Sequence, residues 1–290
     1  MKKSLSNRLF DWIIILTVFI AILLTVIPFL NVVALSLSDP VSITKGEVSL
    51  YPIGFNTAAY VTVFKDPSMI RSLIYTIYLT ALYVAISMFL TICAAYPLTK
   101  KRLKGRKVIT LFMIFTMYFA GGIIPDYILL KTLKLTNTMW SLILPGAISA
   151  YNMVILKSFF EGIPESLEES ARLDGAGDIC VLVKIVLPLA LPVLATLCLF
   201  YAVARWNTFQ DALYYITNAN LYPLQMKLKM LLDIAQSSEL SQFEGANLSE
   251  LVPENIKSAS IVFATVPILV VYPWLQKYFV TGVTLGAVKE

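Results

Sequence analysis

Histidine is absent from the 290 residues of this chain. Zinc sites of the usual ligand sets, Ser-His-Asp triads and imidazole proton relays all need it, so most hydrolase chemistries fall away together. Charge is scarce as well: Asp, Glu, Lys and Arg supply only 14% of the sequence. The three cysteines, Cys93, Cys180 and Cys198, lie in or beside apolar runs without CxxC spacing, which leaves small buried hydrophobes and neither a disulfide framework nor a metal knuckle. No GxxxxGKS or GxxxxGKT segment occurs, so no phosphate cradle of the P-loop kind is encoded. What the chain has in excess is apolar surface. Its hydrophobic share is 58% and its mean hydropathy +0.77, against about 45–50% apolar residues in a soluble domain. The natural solvent for most of such a chain is lipid.

Crossing a bilayer takes about 20 mostly apolar helical residues. Six stretches qualify: 12–35, 70–96, 108–124, 139–156, 181–204 and 259–275. The first follows Lys2, Lys3 and Arg8 as a signal peptide would, but it is too long for such a segment and has no small-residue cleavage site, so it reads as a retained helix. Between the second and third stretches lie Lys100, Lys101, Arg102, Lys104, Arg106 and Lys107, with no acid among them. Positive residues stay cytoplasmic, which places both termini inside. This topology puts 14 basic residues inside and 9 outside, although the outer segments are longer. The net charge of +5 therefore fixes topology and does not point to nucleic acid. The expectation is an all-α polytopic protein of the cytoplasmic membrane, one domain over 1–290, with a large outer loop at about 206–257. Within that loop 224–234 reads as an amphipathic stretch and 236–255 as polar loop with room for a short helix.

Carriers driven by protons or ions place carboxylates at membrane depth, because something must titrate or hold the ion. None of the six stretches contains Asp or Glu. With no P-loop either, active transport by this chain would need energy from another subunit. Attention then falls on the cytoplasmic segment 161–178, which carries Glu161, Glu165, Glu168, Glu169, Asp174 and Asp178 against the positive-inside tendency. Pro164 opens it, Ser166 and Glu169 have capping-box spacing, Gly175 supplies a glycine stop, and Asp178 stands where it could cap the next helix. On the resulting two-turn helix Leu167, Ala171 and Asp174 share a face, with a small residue at its centre suited to entering a groove and an acid beside it. A plain connecting helix between two spans would show the same spacing.

Glu169-Ser170-Ala171, three residues to Gly175, nine more to Ile185, then Leu187-Pro188 resembles the EAA motif of binding-protein-dependent ABC importer permeases, with Ser170 for the usual second alanine. The stretch 168–176, Trp206-Asn207 and the tail Gln276 to Phe279, Gly282 and Gly286 to Lys289 resemble the carbohydrate branch, the smaller permease of maltose-type importers. Tyr222 to Gln225 and Ala264 to Pro267 resemble permeases for plant-cell-wall and uronate-containing oligosaccharides. The resemblance implies a type I importer permease with no catalytic site. Its partners would be a second homologous permease, two cytoplasmic ATPases that bind ATP and Mg, and an extracytoplasmic solute-binding protein. Leu167, Glu169, Ser170, Ala171, Asp174 and Gly175 would then form the coupling helix, with Glu169 divided between capping and an ATPase base. Gly286, Ala287, Val288, Lys289 and Glu290 would be a secondary ATPase contact.

For substrate, Trp206, Asn207, Gln210 and their neighbours Phe209, Asp211, Tyr214 and Tyr215 mix aromatics with amides suited to a sugar; an aromatic belt at the outer interface is the commoner role of such a stretch. Asn152 is a polar group inside the fourth stretch that could line a cavity or simply join helices. Arg205, at the outer end of the fifth, could face an anionic sugar or snorkel to the interface. An ion-coupled carrier or channel, or a membrane-embedded transferase, remain the alternatives from other classes.

Overall fold

The computed structural model describes residues 5–243 and 254–287. Among these every regular element is helical. In chain order they are α1 (Leu5–Ser36), α2 (Pro40–Thr44), α3 (Ala58–Lys65), α4 (Pro67–Thr99), α5 (Arg106–Tyr118), α6 (Ile123–Thr132), α7 (Trp140–Ile143), α8 (Ala150–Glu161), α9 (Glu165–Leu173), α10 (Asp178–Val181), a π-helical turn (Leu182–Val186), α11 (Leu187–Leu189), α12 (Leu191–Asn207), α13 (Gln210–Tyr215), a 3-10 turn (Ala219–Leu221), α14 (Leu224–Phe243) and α15 (Glu254–Ala287).

The chain divides into two compact units, Met1–Ile70 with Lys227–Val266, and Arg71–Met226 with Pro267–Glu290. In the first, α1 is apolar all round and buries none of its best membrane-spanning window, as expected of a helix solvated by lipid. The outer segment after it folds back on its end: Asn31 donates to the Ser49 carbonyl at 2.6 Å, Asn56 N–H to the Leu37 carbonyl at 2.8 Å, and Ser38 Oγ accepts from Ile53 N–H at 3.1 Å. Phe64 of α3 meets Phe263 of α15 edge to face at 5.2 Å.

In the second unit the buried cluster draws Leu79 and Ala95 from α4, Leu142 and Ile143 from α7, Met153 and Leu156 from α8, and Leu197 and Tyr201 from α12. Among the described residues three single helices are long and apolar enough to cross a membrane, Phe10–Ser36, Pro67–Thr99 and Glu254–Pro273. Two bent pairs, α5 with α6 at 114° and Asp178–Leu189 with α12 at 82°, bring the number to as many as five. The fourth expected stretch, 139–156, is not one helix. Pro145 and Gly146 break it, leaving α7 and the 12-residue α8, the latter about 18 Å long and too short to span alone. The break is stitched by hydroxyls: Tyr83 of α4 donates to the Gly146 carbonyl at 2.6 Å, and Tyr201 accepts from Ser149 N–H at 3.1 Å while sharing a 2.7 Å hydrogen bond with Thr91. These take up backbone groups that hydrocarbon could not solvate. A second difference concerns α14, which runs on to Phe243 where a polar loop was expected from 236.

Candidate functional site

The acidic segment forms a short helix between two membrane segments, as its sequence indicates, but its ends are built differently. Pro164 occupies the N-cap with no side-chain cap, so helix α9 starts at Glu165 and Ser166 falls inside the first turn; the capping box between Ser166 and Glu169 does not form. That frees Glu169 from the competition expected for it. At the other end Ala176 N–H reaches the Ala171 carbonyl at 2.9 Å and Gly175 N–H the Arg172 carbonyl at 3.0 Å. This double closure with Gly175 at φ 85° is a Schellman stop. Open space surrounds the position its Cβ would take, so only backbone conformation demands glycine here.

Asp178 was expected to cap α10; Gly177 holds the cap position and no side chain caps it. The Asp178 carboxylate is instead held between two guanidiniums, accepting from Arg172 of α9 at 2.6 Å and from Arg102 of the α4–α5 loop. These bonds, Arg172 first, hold its carboxyl below the ordinary range, and Asp178 in turn raises Arg172. Glu165 is lowered likewise by its hydrogen bond to Lys101. Lys100 donates to both oxygens of Glu168, at 2.5 and 2.6 Å, and Glu161 pairs with Lys157 at 2.7 Å. Four of the six acids are therefore satisfied within the chain. Glu169 and Asp174 have no ion-pair partner among the described residues and are exposed.

The orientation of α9 also differs from the expected face. Ala171 turns inward against the buried cluster, so it is not the centre of the outward surface; Leu167 stays about half exposed. The outward face carries Glu169, Ser170 and, at its end, Leu173, which is 90% exposed. Leu173 escapes the sequence reading because the face chosen there is that of Leu167, Ala171 and Asp174; it lies only two residues, about 200° of helix, from Ala171, so with Ala171 inward it points out. The signal that could have found it was its position four residues beyond Glu169.

Of the substrate candidates, Arg205 requires correction. It is 5% exposed and its guanidinium is engaged: one Nη donates to the Leu142 carbonyl at 2.7 Å and to Asp211, the other to Asp211 at 3.0 Å and the Thr208 carbonyl at 3.3 Å. Facing Asp211 in this way, it does not snorkel, and both Nη groups are taken; the buried Nε alone has no partner among the described residues. Asn152 and Trp206 are buried, Asn207 donates to the Val203 carbonyl at 2.9 Å, and Gln210 is exposed. Gly286 and Ala287 end α15, while Val288, Lys289 and Glu290 lie outside the described residues.

The family described as binding-protein-dependent transport system inner membrane component matches residues 1–285. The chain belongs to this family. The permease is 40% identical over 285 residues to the polygalacturonan/rhamnogalacturonan transport system permease protein YtcP of Bacillus subtilis (strain 168), covering 98% of this chain and 100% of that one. It is 41% identical over 291 residues to the protein LplC of the same organism, covering 100% and 98%. A crystal structure of a bacterial ABC transporter involved in the import of the acidic polysaccharide alginate holds a chain with TM-score 0.86 and 33% identity, covering 96% of this permease and 99% of that chain. The permease is thus an all-α, multi-pass inner-membrane component of an importer, as the EAA-like spacing implied.

Proposed function

We propose that this permease translocates acidic oligosaccharides of the plant-cell-wall or alginate type into the cytoplasm, powered by ATPase subunits that dock on α9. Names of the similar proteins supply the substrate class: polygalacturonan/rhamnogalacturonan for one, the acidic polysaccharide alginate for another. The observation that carries the docking is the exposed Leu173 beside unpaired Glu169 on a helix whose other acids are internally neutralised. A nearly fully exposed leucine on a cytoplasmic helix is a contact awaiting an apolar socket, and a free carboxylate beside it selects a basic rim. Both termini lie inside, the whole chain acts as one permease domain, and its last residues 286–290 add a secondary ATPase contact. Working with it are a sister permease, two ATPases holding ATP and Mg, and an extracytoplasmic solute-binding protein. ATP hydrolysis belongs to the ATPases. In reconstituted liposomes, the permease alone should neither hydrolyse ATP nor accumulate oligogalacturonate, and the full complex should do both; accumulation by the permease alone would overturn the reading.

A further inference from the structure

The basic run after α4, which topology alone would explain, has a second role. Lys100 and Glu168 form a two-pronged ion pair at 2.5 and 2.6 Å, each side chain only 17% exposed. The Lys100 ammonium also sits 4.1 Å from the centre of the Tyr96 ring, and Tyr96 meets Phe160 at the end of α8 edge to face, 6.2 Å apart. Lys101 with Glu165, and Arg102 with Asp178, repeat the connection on either side. A cavity of about 550 Å³ lies beside the pair, which helps to line it together with Thr99 and Arg106 on the loop side and Ile163 and Pro164 before α9.

We infer that the Lys100–Glu168 pair is a mechanical link that makes α4 move with α9, so that force from the ATPases enters a third membrane helix besides the two to which α9 is covalently joined. The inference rests on α9 as the ATPase docking helix. The physics favours this pair over its neighbours: Lys101–Glu165 is exposed and easily screened, whereas Lys100–Glu168 is largely withdrawn from water, doubly hydrogen-bonded and backed by an aromatic face. Lys100 acts here as a positioning residue, working through Glu168.

The test is a charge swap in the full complex, with transport and ATP hydrolysis measured per assembled complex. Lys100→Glu and Glu168→Lys should each keep the ATPases bound, because the outward face of α9 is untouched. Each should lower transport at least tenfold while raising the ATP spent per sugar. The double swap should return transport to within threefold of wild type, and Lys100→Arg should stay near it. Single variants that transport within twofold of wild type would overturn the inference, as would a double swap no better than the singles. If a single variant fails to accumulate, restored abundance in the double swap without restored transport also overturns it. Loss of ATPase binding in the singles would reassign the pair to docking. Failure of the docking reading is separate: it would appear as full ATPase binding by Leu173→Asp.

Discussion

Arg205 and Asp211 meet as a paired fork inside the protein, the guanidinium at the end of α12 gripping the carboxylate at the start of α13 while a third contact reaches the Leu142 carbonyl of α7. The sequence left Arg205 to face an anionic sugar or to snorkel to the interface; the structure makes it a staple between three helical ends. Removing Arg205 strands the part-buried Asp211 carboxylate, at about 1–3 kcal/mol. Arg205→Gln should therefore lower the melting temperature of the detergent-solubilised complex and reduce uptake of acidic and neutral oligosaccharides alike. Selective loss of acidic uptake with unchanged melting would restore the substrate role.

Gly175 stands at φ 85° with empty space around its missing side chain. The left-handed region costs an L-residue about 1–2 kcal/mol, least for Asn and most for β-branched residues. Coupled transport should thus fall in the order Gly, Asn, Ala, Val at this position, with membrane abundance unchanged. A clash-driven effect would follow side-chain volume instead and place Asn below Ala.

Gly146 is the opposite case, since its φ is ordinary but a Cβ would lie 2.9 Å from the Tyr83 hydroxyl that bonds its carbonyl. Gly146→Ala should destabilise the broken fourth segment, and adding Tyr83→Phe should recover part of the loss by removing the clashing oxygen. If the two losses simply add, the close approach is not what constrains this site. Tyr201→Phe should cost about 1–3 kcal/mol, because it leaves Ser149 N–H and Thr91 without their shared partner. Thermal unfolding of the four variants measures both effects.

The carboxyls of Asp178 and Glu165 are held below their ordinary values of 3.8 and 4.5. A depressed folded-state value means the contribution is present above the ordinary value and is lost as pH falls through the folded one. Attachment of α9 to the α4–α5 loop should accordingly be constant from pH 7 to about 5 and loosen below pH 4. Asp178→Asn should lower stability at pH 7, and the difference from wild type should shrink progressively as pH falls below about 4. Hydrogen exchange across 165–178, corrected for intrinsic rates, reads this directly; a transition centred near pH 6 would contradict it.

Much of this molecule is legible before any coordinates. Long apolar runs announce α1, α4 and α15, because lipid solvation needs only local composition. The stop at Gly175 is likewise local, set by one residue's conformational freedom. What the sequence hides depends on long-range pairing. Arg205 looks free until Asp211 folds back on it. The acids of 161–178 look like an offering to a partner until Lys100, Lys101 and Arg102, more than sixty residues away, neutralise three of them. The break at Pro145–Gly146 was masked by continuous hydrophobicity, and the tyrosine hydroxyls that make it tolerable come from other helices.

The central claim is that the outward face of α9, with Glu169, Ser170 and Leu173, docks on the ATPases. Co-purification of ATPase with the permease pair, scored together with transport per assembled complex, tests it most directly in Leu173→Asp and Glu169→Lys. The account predicts normal permease abundance with ATPase association reduced at least tenfold, or ATP hydrolysis no longer stimulated by loaded binding protein. Wild-type association and transport in both variants would contradict it.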